Sequence, residues 1–139
     1  MAEFLPVDPF DLIIVGATGS LSQTKLLPAL YHRFCDGQIN SISRIVGVAQ
    51  TEFAEGAFQD FVKAACIDDC DSRFNEKKWQ GFQRLLHYRC LDASADLAKW
   101  ADVKSILAND KRPRIFYLAL APDICVSVCN SIKQADLNN

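Results

Sequence analysis

At 139 residues, half of them apolar, the chain has the length of one domain and enough hydrophobic material for one core. Its 15 Lys and Arg stand against 17 Asp and Glu and are scattered, so no basic field exists to hold nucleic acid. No apolar run approaches the roughly 20 residues of a bilayer span, and no basic-then-apolar leader opens the chain, so an intracellular protein in a reducing compartment, cytoplasm or organelle interior, is expected.

Met1 to Asp8 reads as a lead-in, since Pro6 and Pro9 discourage regular structure before the first strand. Phe10 to Val15 is apolar on both faces, as a central parallel strand must be. It runs into Gly16-Ala17-Thr18-Gly19 and then into helical composition, a strand–turn–helix passage in which glycines let backbone approach a phosphate and the first helical amides face it. Spacing alone leaves two readings of that turn, a phosphate cradle or a merely tight bend.

The first helix is expected from Ser20, its N-cap, to about Phe34, with Leu21, Leu26, Leu27 and Leu30 as the buried stripe. Pro28 either bends it or shortens its first segment, and Asp36-Gly37 closes it. Arg44 to Ala49 is a second strand. Thr51 would cap a helix from about Glu52 to Cys66 or Cys70 that turns Phe53, Phe58, Phe61 and Val62 to the sheet. The acidic, polar stretch Asp68 to Lys78 reads as a surface loop. Trp79, Phe82, Leu85 and Leu86 mark a short helix, Leu86 to Cys90 a third strand, Ala93 to Leu107 a helix and Asn109 to Pro113 a turn. Arg114 to Leu120 is a fourth strand, and Asp123 caps a last helix ending near Asp136. Strands alternating with helices give an α/β, doubly wound, three-layered Rossmann-like sheet of about four parallel strands in the order 3-2-1-4, whereas the full dinucleotide fold has six.

Among six cysteines, Cys66/Cys70 and Cys125/Cys129 are spaced i,i+4, as a four-thiol zinc site would require. The helices that carry them lie on opposite faces of such a sheet, so free thiols are expected and no metal. Cys35 and Cys90 have no spacing signal. His32 and His87 are read as surface or boundary residues with no carboxylate placed beside either, and no Ser-His-Asp or Cys-His pairing has spacing support, so no catalytic residue is expected.

Gly16-Ala-Thr-Gly-Ser-Leu21, Lys25 to Tyr31, Arg44 to Ala49 and Phe116 to Pro122 together resemble, in order and spacing, the N-terminal coenzyme domain of the glucose-6-phosphate dehydrogenase family. The resemblance covers nearly the whole chain and makes residues 1–139 a single such domain with no counterpart of the family's substrate domain and its histidine base. It implies coenzyme contacts at Gly16, Ala17, Thr18, Gly19, Ser20, Leu21, Gln50, Leu120, Ala121 and Pro122, and it matches Lys25 to a lysine that reaches toward the sugar phosphate. Departures fall on charge. Ser20 and Ser22 replace an Asp and an Ala, Gln23 and Thr24 stand where basic residues are usual, and Gln50 replaces the Arg that pairs with the 2′-phosphate of NADP. Loss of one such contact of ~1.5–3 kcal/mol weakens binding roughly ten- to a hundredfold, so NADP binding is expected to be weak.

The expectation drawn from these departures is a catalytically inactive relative acting as an accessory or scaffold subunit, with strand Ile115 to Leu120 covered by a partner chain or a second copy. The alternatives are the coenzyme-binding fragment of an NADP-dependent glucose-6-phosphate dehydrogenase and a small nucleotide-sensing regulator.

Overall fold

The apolar run after Pro9 forms β1 (Asp11–Val15), buried at every position, in a computed structural model that describes residues 8–93, 97–107 and 112–134. It is followed by a π-turn (Ser22–Leu26) continuing into α1 (Leu27–Cys35), then β2 (Arg44–Ala49), α2 (Ala57–Cys70), α3 (Glu76–Gln83), β3 (Leu86–Cys90), α4 (Leu97–Ile106), β4 (Arg114–Leu118) and α5 (Pro122–Gln134). The sheet order is β3-β2-β1-β4 with every pairing parallel, as expected. A parallel neighbour cannot be reached by a hairpin, so each connection crosses over a face of the sheet.

Strand alternation divides the core between those faces. Leu12, Ile14 and Ile45 meet Leu27, Tyr31, Phe58, Val62, Trp79 and Phe82 from α1, α2 and α3. Ile13, Val15, Val46 and Val48 meet Trp100, Val103, Val128 and Ile132 from α4 and α5. Cys66 and Cys70 belong to the first core and α5, with Cys125 and Cys129, lies over the second, so the two i,i+4 pairs stand on opposite faces. Among the described residues, only one face of β4 is packed. Phe116 and Leu118 pack into the second core, whereas Ile115 and Tyr117 on the other face are 46% and 37% exposed.

Several boundaries differ from the sequence reading. Pro28 has no N–H to return to the preceding turn, and the helix answers by widening upstream: Leu27 N–H reaches Ser22 O and Ser22–Leu26 forms a π-turn. Leu21 is 52% exposed and not part of the buried stripe, in which Pro28 and Tyr31 join Leu27. Ser20 is not a side-chain cap: the helix starts without one, and Ser20 offers its carbonyl to Thr24 Oγ1. Asp36-Gly37 closes α1 as expected, Gly37 with φ +76.

α2 begins at Ala57, after a loop that ends in Gly56, and Thr51 lies six residues upstream of it. The expected loop Asp68 to Lys78 is mostly helical. α2 continues to Cys70, a 3-10 turn spans Asp71–Arg73, and the Asn75 side chain accepts the Lys78 N–H to cap α3. Charge on the exposed side of these turns concealed the apolar spacing of Cys66, Cys70, Phe74 and Trp79, which face the core. β4 ends at Leu118 rather than Leu120. The lead-in through Val7, the expected helix start at 94–96, turn residues 109–111 and Asp136 lie outside the described residues.

Candidate functional site

At the carboxyl ends of the strands the Gly turn is held from three sides. The Gly16 and Ala17 amides both donate to Val48 O, at 2.8 and 3.2 Å, which fixes the turn to the end of β2. Ala119 N donates to Val15 O at 2.9 Å, bringing the segment after β4 against it. Gly16 adopts φ +88, and a Cβ there would lie 2.5 Å from Ala119 O, so both conformation and space demand glycine. The Gly16 carbonyl accepts Gly19 N–H and Ser22 Oγ, each at 3.0 Å. Ser22 is buried, and its hydroxyl ties the helix start to the turn.

The first intrahelical bond runs from Gln23 N to Gly19 O, so the amides of Ser20, Leu21 and Ser22 precede it. These donors, at the positive end of the helix, suit an anion. Beside them opens a cleft of about 420 Å³ lined by Gly16, Thr18, Gly19, Gln50, Thr51, Asp92, Leu120 and apolar side chains including Ile124 and Val128. That volume falls in the range of about 300–1,000 Å³ usual for small-molecule sites.

Of the coenzyme residues implied by the resemblance, Gly16, Thr18, Gly19, Gln50 and Leu120 line this cleft. Ala17 is buried beneath the turn, and Ser20, Leu21, Ala121 and Pro122 border the site without lining it. Lys25 is exposed on the π-turn and is not on the cleft wall. Gln23 and Thr24, where two basic residues were missed, instead line a separate recess of about 300 Å³ against Ala65, Asp68 and Asp69 of α2. The charge lost at those positions is therefore lost from the helix–helix groove, and among the replaced positions only Gln50 opens on the cleft.

Sequence reasoning took Thr51 for a helix cap and did not single out Asp92. Thr51 Oγ1 lies 3.1 Å from Thr18 Oγ1, a clamp between the Gly turn and the loop after β2, and its carbonyl accepts the Tyr88 hydroxyl. Burial, with Cys90 beside it, pushes the Tyr88 phenol up to about 12, so it remains a donor. The only sequence signal for Thr51 was its place directly after a strand end. Lys and Arg are absent from the described cleft lining, and Lys99 lies in an adjoining recess with Gln50, Glu52, Leu91 and Asp92.

His32 departs from expectation. Asp69 Oδ2 lies 2.8 Å from His32 Nε2, and Cys70 Sγ 3.6 Å from the same nitrogen, because α1 and the last turn of α2 cross there. Neither Asp69 nor Cys70 has a sequence spacing that points to His32, 37 and 38 residues away. His87, half-buried in β3, is pushed below its ordinary pKa by burial and by the charges of Arg44 and Arg89, against an opposing pull from Asp11.

Comparison with known proteins agrees with this geometry. The family model described as glucose-6-phosphate dehydrogenase, NAD binding domain, matches residues 13–139. The chain is similar to the glucose-6-phosphate 1-dehydrogenases of Rhizobium meliloti (36% identical over 98% of this chain and 28% of the relative) and Gluconobacter oxydans (37%, over 99% and 29%). It thus spans little more than a quarter of their length. Among solved structures it superposes on a glucose-6-phosphate 1-dehydrogenase from Mycobacterium avium with TM-score 0.82 at 22% identity, covering 93% of this chain and 27% of that one. A glucose-6-phosphate dehydrogenase in complex with its substrate glucose-6-phosphate gives 0.79 at 26%, covering 97% and 29%. With the Gly turn, the strand order and the match over residues 13–139 in agreement, the chain belongs to the glucose-6-phosphate dehydrogenase NAD-binding-domain family.

Proposed function

We propose that this chain is the coenzyme-binding domain of an NADP-dependent glucose-6-phosphate dehydrogenase. The observation that carries the reading is the Gly16–Gly19 turn, held on β2 and open on a cleft at the carboxyl ends of the strands, in a chain that matches that domain family. NADP when bound supplies the nicotinamide that accepts a hydride. This chain's part is to hold it: the amides of Ser20, Leu21 and Ser22 offer donors to the pyrophosphate, and Ile124, Val128 and Leu120 supply the apolar wall.

The departures at the turn argue little for an accessory subunit, since Ser22 completes the turn and Gln23 and Thr24 face α2. Gln50 alone weakens the grip on the 2′-phosphate, and a domain of reduced NADP preference follows from it. Calorimetric titration of the purified protein with NADP, NAD and ATP tests the reading, with NADP or NAD expected to bind and to shift the amide NMR signals of residues 16–22. Binding of ATP alone would favour a nucleotide-sensing regulator, and no binding of any of the three at millimolar concentration would overturn the coenzyme reading. Sequencing the transcript beyond codon 139, and assaying any longer product for hexose-phosphate oxidation, tests the enzyme reading.

A further inference from the structure

Away from the cleft, three metal-ligating side chains from two helices converge. His32 Nε2 of α1 lies 2.8 Å from Asp69 Oδ2 and 3.6 Å from Cys70 Sγ, both at the end of α2, and the three ligand atoms all lie within 4.8 Å of one another. A nucleophile–base–orienter relay would need thiol and carboxylate on opposite ring nitrogens. Here both approach the same nitrogen, with Nδ1 farther from the sulfur at 4.0 Å, and the cysteine is only 1% exposed, closed to a substrate. The atoms are arranged around a common point rather than along a proton path.

We propose that His32, Asp69 and Cys70 form a site for a thiophilic divalent cation of the zinc type, with its fourth position open to solvent. Tetrahedral bonds of about 2.0–2.3 Å place donors roughly 3.3–3.6 Å apart. The nitrogen–sulfur separation already has that value, and the nitrogen–oxygen pair opens by about half an ångström when the ion replaces the hydrogen bond between them. Side chains of His32 and Asp69 are 42% and 43% exposed, which gives the ion a route in, while Cys70 forms the buried floor. The neighbouring recess brings Asp68 beside Asp69, a second carboxylate that draws cations. Thiolate among the ligands selects against magnesium and calcium.

Binding forms metal–nitrogen, metal–oxygen and metal–sulfur bonds and releases the Cys70 proton to solvent. The ion would join the end of α2 to α1, the same helix that begins at the Gly turn, and so stabilise the helix pair behind the cleft.

Cobalt(II) titration of the reduced, metal-free protein is the test. The expected result at one equivalent is a sulfur-to-cobalt charge-transfer band in the near ultraviolet together with the intense visible bands of four-coordinate cobalt. One equivalent of zinc should abolish both and raise the melting temperature. His32→Gln and Asp69→Asn, at half-exposed positions that the fold tolerates, should lose the visible bands; Cys70→Ser should lose the sulfur band, and the Cys125→Ser, Cys129→Ser double variant should keep both. Absence of the bands in the unaltered protein at stoichiometric cobalt, their persistence in His32→Gln, or their loss in the double variant would each overturn the proposal.

Discussion

Replacing Gly16 by alanine separates two demands that the Gly turn places on one residue. Gly16 sits at φ +88, where a side chain costs about 1–2 kcal/mol. The new methyl would also lie 2.5 Å from Ala119 O, and that peptide retreats only by straining its own bond to Val15 O. Forcing such a contact costs a further ~1–3 kcal/mol, partly offset by the ~0.4–1 kcal/mol gained when alanine restricts the unfolded chain. The net loss of about 2–4 kcal/mol corresponds, at about 4 °C per kcal/mol for a chain of this size, to a melting temperature lower by roughly 8–16 °C. Gly37→Ala is the control, because Gly37 has φ +76 and open space around it, so only the conformational cost applies and the fall should be about 4 °C. Thermal unfolding followed by circular dichroism, with urea midpoints as a second measure, reads both variants. A Gly16→Ala protein that melts no lower than Gly37→Ala would refute the idea that the Ala119 carbonyl packs against this turn.

Gln50→Arg should raise NADP affinity roughly ten- to a hundredfold and leave NAD nearly unchanged, as calorimetry would show, since it restores a charge-assisted contact at the one replaced position that opens on the cleft. On the alkaline side, burial pushes Tyr31, Tyr88 and Cys66 up to about 12 from ordinary values of 10, 10 and 9, so folding favours their protonated forms. The stability they contribute is complete below about pH 9 and is lost as pH rises toward 12, and Tyr88→Phe should reduce that loss in urea titrations. His87 has the opposite sign: its folded pKa lies below 6.5, so its contribution is present above that value and disappears as pH falls through the folded pKa. His87→Gln should flatten the decline of the urea midpoint between about pH 7 and pH 5. We further propose that a second copy of the chain covers the exposed face of β4. Ile115→Lys, which adds charge to its bare face, should then lower the apparent mass of the protein in concentration-dependent light scattering, and a monomer at all concentrations for the unaltered chain would count against the proposal.

Strand positions and strand order were legible because periodicity and burial coincide in them: Leu12-Ile13-Ile14-Val15 is apolar on both faces because a central parallel strand feeds two cores. The Gly turn was legible too, since few residue types tolerate φ +88. Helix starts were less so. Ser20 and Thr51 have the composition of caps, yet Ser20 lies inside the first turn and Thr51 clamps Thr18, a tertiary contact that outweighs a local preference of about 1 kcal/mol.

The sequence by itself determined that this chain forms a parallel sheet with a glycine turn at its centre, because local steric and burial preferences there all agree. Only the tertiary structure decided which substitutions reach the cleft and which neighbours His32 has. Gln50 and Gln23 look alike in sequence, but the packing of the π-turn and α1 against α2 turns Gln23 away from the cleft and draws Asp69 and Cys70 to the histidine. Such contacts join residues more than thirty positions apart, and no local spacing records them.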